Sequence, residues 1–281
     1  MAQGVSGAAA RFAAAARLYR PLNLLAIGFG SLVGARLGHA SLLDAALLVP
    51  VLVGAYGYAR NDAVDLEADR WNRPLRPVPA GVLSTRAAHL LALLPLLPAA
   101  GLVAVLNPEP FPIAVAAGSA LLLTAYSPWL KERGPLGPAT ISLLTALAVI
   151  WGALGGAGFA RALLPALLAA TAQFARECAK QLEDQPGDRA ARRRTWAVRA
   201  GGERLRWAAR LAILAALVLL PLPSAVGGVR GLYLILAAPL AGVPLAVALW
   251  WLGREGVRYG AVSAAVKAAL FGGLAALGIA A

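Results

Sequence analysis

Long apolar runs recur along the whole chain and constrain its fold more than any other feature. A helix that crosses a bilayer needs about 20 mostly apolar residues. Of the 281 residues, 60% are hydrophobic and only 14% are charged, which is too apolar a composition for a soluble protein of this size. The sequence therefore predicts an all-α, polytopic membrane protein with nine transmembrane helices in one bundle. We place the spans at roughly 18–37, 42–60, 87–106, 111–128, 137–157, 161–182, 205–222, 230–251 and 261–280.

The net charge of +13 is distributed unevenly along the chain. All but four of the 26 Lys and Arg residues lie at the amino terminus or in alternate connections between the spans; the exceptions are Arg36, Arg161, Arg230 and Lys267. Because short cytoplasmic loops are enriched in Lys and Arg, this pattern predicts a cytoplasmic amino terminus and an integral protein of the cell membrane. It favours anionic lipid head groups and a diphosphate substrate as partners over nucleic acid.

The remaining global features predict a single membrane-embedded domain over residues 1–281, since no segment is large enough for a separate soluble domain. Residues 1–17 are rich in Ala and contain Arg11 and Arg17, without a clean apolar core and cleavage site. We predict a short cytoplasmic tail there, not a cleaved signal. The one cysteine, Cys178, excludes an internal disulfide, and we expect it to be a packed small side chain.

An acidic stretch follows the second predicted span, where residues 61–81 read NDAVDLEADRWNRPLRPVPAG. Asp62, Asp65 and Asp69 are spaced i, i+3 and i+7, so a helix places them on one face. Carboxylates clustered at the end of a membrane helix repel one another and are costly to desolvate. They therefore indicate a positive partner between them.

A second charged stretch follows the sixth span, where residues 175–198 read ARECAKQLEDQPGDRAARRRTWAV. Glu177, Gln181, Asp184 and Asp188 share one helical face, whereas Arg176, Lys180 and Glu183 are expected to project elsewhere. Pro186 and Gly187 predict a break in the helix, which would leave Asp188 on a turn. A basic run follows, which is more typical of a topology determinant than of a ligand site; it consists of Arg189, Arg192, Arg193 and Arg194.

The two acidic clusters are four spans apart and lie on the same predicted side of the membrane. This spacing predicts two four-helix halves plus one extra helix. Mg²⁺ binds one or two carboxylates and completes its shell with water and phosphate oxygens, so a metal-bound diphosphate would neutralise both clusters. Either cluster alone is also compatible with a solvated loop whose acids offset nearby arginines, but two such clusters at the ends of apolar spans favour a joint site.

At these residues the chain resembles the UbiA superfamily of intramembrane prenyltransferases. The first family motif, NDxxDxxxD followed by NxPxRP and a glycine, is matched by Asn61, Asp62, Asp65, Asp69, Asn72, Arg73, Pro74, Arg76, Pro77 and Gly81. The second motif, DxxxD, is matched by Asp184 and Asp188. A YSxxLK signature is similar at Tyr126, Ser127, Leu130 and Lys131, and a shorter one at Arg20, Pro21, Leu22 and Asn23.

The surroundings of the second motif resemble the branch that contains digeranylgeranylglyceryl phosphate synthase. The matching residues are Arg176, Glu177, Lys180, Glu183, Gly187 and Thr195. Two positions depart from that branch: Gln181 stands where an aspartate is common, and Pro138 where many relatives have Asn. Both departures weaken the inference of the acceptor and leave the superfamily match intact.

The resemblance implies Mg²⁺-dependent transfer of a prenyl group from a prenyl diphosphate to a geranylgeranylglyceryl phosphate-type acceptor, through ionisation to an allylic cation. The implied catalytic and metal-binding residues are Asp62, Asp65, Asp69, Asp184 and Asp188. Substrate-binding candidates are Asn23, Asn61, Arg73, Tyr126, Lys131, Arg176 and Lys180. Aromatic faces stabilise cations, which makes Tyr126, Tyr56 and Phe174 candidates for that role, although packing is the commoner role of aromatic side chains in membrane helices.

Other functions stay open at this point. The acceptor could be an aromatic quinone precursor such as hydroxybenzoate or homogentisate, or a chlorin alcohol. A cation or organic-anion transporter would use the same carboxylates, but transporters place such charges near the bilayer midplane, whereas these lie at helix ends. A structural membrane subunit gives no reason for two aligned acidic faces. The charge pattern therefore favours the enzyme.

Overall fold

The computed structural model describes residues 12–226, 229 and 231–281. Throughout these residues the regular secondary structure is helical, which confirms the all-α prediction. Most of the predicted tail and Arg230 lie outside the described residues. Residues 12–18, the end of the predicted tail and the first residue of the first predicted span, are helical, and Ala14 and Leu18 are buried there.

The helices follow the apolar runs, and most ends lie within about four residues of the predicted ones. The exceptions are the start of the second predicted span, at Val49 and not 42, and the end of the sixth, at Ala190 and not 182. Pro95 separates α4 from α5, and a π-helical turn over Ala238–Gly242 joins α12 to α13. The helices are α1 Pro21–Gly38, α2 Val49–Val64, α3 Leu66–Asn72, α4 Thr85–Leu93, α5 Leu96–Leu106, α6 Pro110–Tyr126, α7 Leu136–Ala153, α8 Leu163–Ala190, α9 Trp196–Ala200, α10 Gly202–Leu219, α11 Leu222–Val226, α12 Leu232–Ala237, α13 Val243–Leu252 and α14 Tyr259–Ala280.

Six segments in the described part of the chain are long and apolar enough to cross a membrane. They are Pro21–Gly38, Thr85–Leu106, Leu136–Ala153, Gly202–Ala225, Leu232–Leu252 and Tyr259–Ala280. The apolar helix α6 is shorter, with 17 residues, and α2 has 16. The long helix α8 carries the charged residues of the second acidic stretch in its second half, and these lower its hydropathy.

Contacts between connections show that successive long segments run in alternate directions. At one end, which we call the motif end, Lys131 lies beside Asp65, and Arg206 donates to Tyr259. At the opposite, far end, the Gly158 N–H donates to the Gly38 carbonyl over 2.9 Å. The two acidic stretches are therefore at the same end of the bundle.

Small residues let α1 and α7 approach closely through the middle of the bundle. A Cβ atom on Gly34 would lie 1.9 Å from the Val149 carbonyl oxygen, and one on Gly152 would lie 1.8 Å from that of Ser31. Close backbone contact of this kind is how membrane helices gain packing energy without a hydrophobic driving force. Cys178 is fully buried in the adjoining core, as predicted for a packed small side chain.

Candidate active site

The first acidic group, Asp62, Asp65 and Asp69, is buried at the motif end. Asp62 is 1% exposed, Asp65 8% and Asp69 7%. The helix is not continuous through them, because α2 ends at Val64 and Asp65 has ψ near 13° before α3 begins. One i to i−4 hydrogen bond lies on each side of this break, from the Asp65 N–H to the Asn61 carbonyl and from the Asp69 N–H to the Asp65 carbonyl, and all three carboxylates stay buried.

Four cations surround the first acidic group. Arg20 pairs with Asp62, and Arg76 bridges the group, with its Nη1 atom 3.3 Å from Asp62 Oδ1 and 2.5 Å from Asp69 Oδ2. Asp65 pairs with the other two, Lys131 Nζ at 2.8 Å and Arg193. The mutual repulsion of the acids is thus offset by charged partners from four separate parts of the chain.

Burial and neighbouring charges shift the pKa values of Asp65, Asp69 and Lys131, and not all in the same direction. Burial raises the pKa of Asp65, but Lys131 and Arg193 outweigh it and hold that pKa below its usual range. Burial dominates at Asp69 and raises its pKa, against the influence of Arg76. Burial lowers the pKa of Lys131, yet Asp65 and Asp188 together raise it above its usual value. Lys131 therefore lies in the field of both acidic stretches.

The second acidic group, Glu177, Gln181, Asp184 and Asp188, lies along α8. Glu177, Gln181 and Asp188 are at most 4% exposed, and the Asp184 side chain is 23% exposed. Their polar atoms are less completely paired than those of the first group. Asp188 Oδ2 accepts from the Thr195 hydroxyl at 3.0 Å, but its Oδ1 atom and both amide atoms of Gln181 are buried without a hydrogen-bond partner among the described residues.

The predicted break at Pro186 and Gly187 is wrong, since α8 continues through both residues to Ala190. A distant side chain provides hydrogen bonds that support this part of the helix. Asn72 Oδ1 accepts from the Gly187 N–H at 3.1 Å, and its Nδ2 atom donates to the Asp184 carbonyl at 2.8 Å. A proline inside a helix is tolerated where neighbouring groups satisfy the backbone. Asp188 consequently lies in the last helical turn and not on a loop.

Residues from the first motif connect the two acidic groups directly. Arg73 Nη2 lies 3.0 Å from Asp184 Oδ1 and 3.2 Å from Glu183 Oε2, and Asn72 bonds the α8 backbone as described above. Earlier in α8, Arg176 and Lys180 both contact Glu177, at 3.4 and 3.2 Å. We had expected their side chains to project away from it. The structure thus brings the two charged stretches together at one place.

A largely apolar cavity of about 180 Å³ adjoins this place. Along α2 its wall extends from Val49 to Asn61, the residue before Asp62, which corresponds to about 18 Å of helix. Asn61 accepts from the Ser127 hydroxyl at 2.9 Å. The polar lining residues at this end include Asn23, Tyr58, Asn61, Gln173, Arg176 and Lys267.

The aromatic candidates named from the sequence lie outside the cavity wall. Tyr126 is buried, the Tyr56 hydroxyl is 2.5 Å from that of Thr124, and Phe174 packs edge-on against Trp196. Tyr58, which sequence reasoning missed, lines the cavity and lies 5.0 Å from the Arg20 guanidinium. No spacing or motif distinguished it from the other tyrosines.

Three of the cations at the site were also not assigned to it from the sequence. Arg20 and Arg76 stand inside quoted motifs, so their positions were an available signal. Arg193 was placed with the topology determinants, yet its side chain is 14% exposed and also donates to the Ser127 carbonyl at 2.9 Å. Its neighbour Arg192 adopts a left-handed conformation after the end of α8, and nothing in a run of arginines marks which one turns inward.

The donor chemistry of the site suits a hard divalent cation. Among the residues that the structure describes, no three acidic, histidine or cysteine side chains form a ready-made metal cage. Mg²⁺ does not require one, because it usually binds one or two carboxylates and takes its other ligands from water and phosphate. The buried Asp188 Oδ1 atom, for which the described residues offer no hydrogen-bond partner, and the Asp184 Oδ1 atom one turn earlier are oxygen ligands of the kind it prefers.

Comparisons with known proteins agree with the geometry. The model of the UbiA prenyltransferase family matches residues 23–278. The chain belongs to this family. It is therefore a prenyltransferase with membrane helices, as the motifs predicted.

One relative and two solved structures illustrate the similarity. Digeranylgeranylglyceryl phosphate synthase from Methanopyrus kandleri is 39% identical over 232 residues, which are 81% of this chain and 84% of that protein. A solved structure of digeranylgeranylglyceryl phosphate synthase in membranes has a TM-score of 0.73 at 24% identity and covers 96% of this chain and 98% of its own. A UbiA homologue from Archaeoglobus fulgidus bound to GPP and Mg²⁺ has a TM-score of 0.63 at 19% identity and covers 94% and 99%.

Proposed function

We propose that this chain transfers a prenyl group from a prenyl diphosphate to the hydroxyl of a geranylgeranylglyceryl phosphate-type lipid. The observation that carries the proposal is the meeting of the two acidic groups beside an apolar cavity. The cavity suits an isoprenoid chain, and the charged end suits its diphosphate. The 39% identical relative named for this reaction supports the choice of acceptor.

The carboxylates of both groups would hold Mg²⁺ with the diphosphate. When bound, Mg²⁺ neutralises the diphosphate and makes it a better leaving group. The A. fulgidus homologue, bound to GPP and Mg²⁺, supports this assignment. The proposed metal-binding residues are Asp62, Asp65, Asp69, Asp184 and Asp188, and the Gln181 amide oxygen is a further neutral ligand or water acceptor.

The reaction would proceed by departure of the diphosphate. The bond between prenyl carbon 1 and the diphosphate oxygen breaks, and diphosphate keeps the electron pair. Lys131 Nζ and the Arg73 and Arg193 guanidinium groups would stabilise that negative charge. The acceptor hydroxyl oxygen then bonds to the allylic cation, and its proton passes to diphosphate or water. Tyr58, which lines the cavity, is a candidate to stabilise the cation.

The test is transfer of a labelled prenyl group by purified protein in detergent. Asp62→Ala and Asp184→Ala should each lower turnover at least about a hundredfold, as expected for loss of a carboxylate that would hold the charge-neutralising metal ion. Glu67→Gln is the matched control, because Glu67 lies in the same segment but is exposed and, among the residues that the structure describes, pairs with Arg70 alone. Full activity in EDTA would refute the metal-dependent mechanism.

We further propose that the membrane is crossed nine times by a single domain over residues 1–281, in two four-helix halves plus α14. The alternation of ends supports nine passages, with α2, α6 and α8 crossing in addition to the six more apolar segments. The excess of Lys and Arg at the motif end supports a cytoplasmic site and amino terminus.

The orientation can be tested with cysteine labelling. In a Cys178→Ala background, Leu75→Cys at the motif end and Leu43→Cys at the far end introduce single thiols at positions 91% and 97% exposed. A membrane-impermeant maleimide applied to intact cells should label position 43 and should reach position 75 only after permeabilisation. The reverse pattern would place the site outside.

A further inference from the structure

Lys267 is an ionisable residue within the last membrane helix, and the chemistry described above does not use it. Its ammonium donates to Asn23 Oδ1 at 2.7 Å, and within the described residues no carboxylate lies within salt-bridge distance of it. A charged side chain inside a membrane helix is costly and usually marks a functional site. A neutral residue could join α14 to α1 at lower cost, so the hydrogen bond alone does not account for a lysine.

The cavity beside Lys267 has an excess of positive charge. Lys267 and Arg176 both line it, and no acidic side chain is among the described lining residues. Glu177 lies behind Arg176 but is shared with Lys180 and Gln173. The Arg176 Nε–H is buried without a hydrogen-bond partner among the described residues. Glu177 contacts Arg176 and Lys180, and no carboxylate of the described residues pairs with Lys267, which leaves charge and hydrogen-bonding capacity for an anion.

Lys267 lies at a different depth in the bundle from the first acidic group. Asn23, which binds Lys267, follows Arg20 by three residues on α1, and Arg20 pairs with Asp62. Lys267 therefore lies about one helical turn, or roughly 5 Å, deeper in the bundle than the first acidic group. An anion there would be adjacent to a diphosphate held by the aspartates but separate from it.

We propose that Lys267 and Arg176 bind the phosphate monoester of the acceptor lipid and so select a phosphorylated acceptor. The proposal rests on the proposed function, because it assigns a second anion site beside the donor diphosphate. A phosphate carries up to two negative charges, which matches the excess charge at the cavity wall. It also accepts hydrogen bonds from both an ammonium and a guanidinium.

The test compares two acceptors, geranylgeranylglyceryl phosphate and its dephosphorylated counterpart, with wild type and Lys267→Gln. The glutamine can still donate to Asn23, so the variant removes the charge and leaves a hydrogen bond possible. For the phosphorylated acceptor, KM should rise about tenfold to a hundredfold, as expected for a lost charged hydrogen bond. KM for the prenyl diphosphate and for the dephosphorylated acceptor should stay within about twofold.

Two control variants and one alternative variant accompany this test. Lys267→Arg should restore most of the affinity for the phosphorylated acceptor. Ser263→Ala, one turn away on the same helix and outside the cavity wall, should leave both acceptors unaffected. If Lys267→Gln does not fold in detergent, Arg176→Gln carries the same prediction.

An equal loss for both acceptors, or a rise in KM for the donor alone, would overturn the proposal. So would a wild-type enzyme that does not distinguish the two acceptors. A wild-type protein that transfers no prenyl group to either acceptor would instead refute the proposed function.

Discussion

The two acidic groups differ in how completely the protein itself pairs them. Each carboxylate of the first group contacts at least one Arg or Lys side chain. In the second group Asp184 contacts Arg73, whereas Asp188 has, within the described part of the chain, one side-chain hydrogen bond and one buried oxygen without a partner. The comparison indicates that the first group contributes to stability as well as to the site, and that Asp188 contributes mainly to the site.

The largest expected difference in the free energy of unfolding is between Asp65→Asn and Asp188→Asn. Neutralising Asp65 leaves the partly buried Lys131 without its carboxylate and Arg193 with Glu132 as its remaining acidic partner among the described residues, and breaking a buried ion pair in this way costs about 3–5 kcal/mol. Asp188→Asn keeps the acceptor for Thr195 and should change the free energy of unfolding by less than about 1 kcal/mol. SDS-induced unfolding in detergent measures both. Equal losses of stability would contradict the comparison, even if both variants are inactive.

A variant of Arg193 tests whether the cations that pair with the first acidic group also contribute to stability. Arg193→Gln removes contacts to Asp65 and to the Ser127 carbonyl and should lower the free energy of unfolding by about 1.5–3 kcal/mol. Arg194→Gln is the matched control, since Arg194 is exposed and should change stability by no more than about 0.5 kcal/mol. Similar unfolding curves for the two variants would mean that Arg193 acts only as a topology determinant.

A variant of Gly187 tests the contact between Asn72 of the first motif and helix α8. A Cβ atom there would lie 2.3 Å from Asn72 Oδ1, so Gly187→Ala should cost about 1–3 kcal/mol through overpacking. In the double variant with Asn72→Gly the clash is absent, and the combined loss should be smaller than the sum of the single losses. A double-mutant cycle of unfolding free energies measures this coupling, and strict additivity would show that the side chain of Asn72 does not fix α8.

Thr195→Val should have the smallest effect. It removes the one hydrogen bond to Asp188 while keeping the shape of a fully buried side chain, and should cost about 1 kcal/mol. Turnover should fall more clearly than stability, because Asp188 loses the group that orients it. A transfer assay alongside the unfolding curve separates the two, and a variant with wild-type turnover would show that Asp188 needs no such orientation.

The apolar runs and aspartate spacings predicted much of this molecule because they act locally. A run of apolar residues predicts a membrane helix wherever it packs, and Asp62, Asp65 and Asp69 face inward despite the break at Asp65. The continuation of α8 past Pro186 could not be predicted from the local sequence. Asn72, more than a hundred positions earlier in the chain, makes hydrogen bonds to the α8 backbone there. Likewise, three similar arginines, Arg192 to Arg194, follow α8 closely, and only the fold determines that Arg193 reaches Asp65.

We propose above that the two acidic groups form one site for a diphosphate and Mg²⁺. The most direct test of this proposal is equilibrium binding of a labelled prenyl diphosphate to purified wild type, Asp65→Asn, Asp188→Asn and the Glu67→Gln control, with Mg²⁺ or with EDTA. Affinity should fall at least about tenfold in EDTA and in both aspartate variants, and Glu67→Gln should bind like wild type. Unchanged binding in EDTA and by Asp188→Asn would contradict the claim.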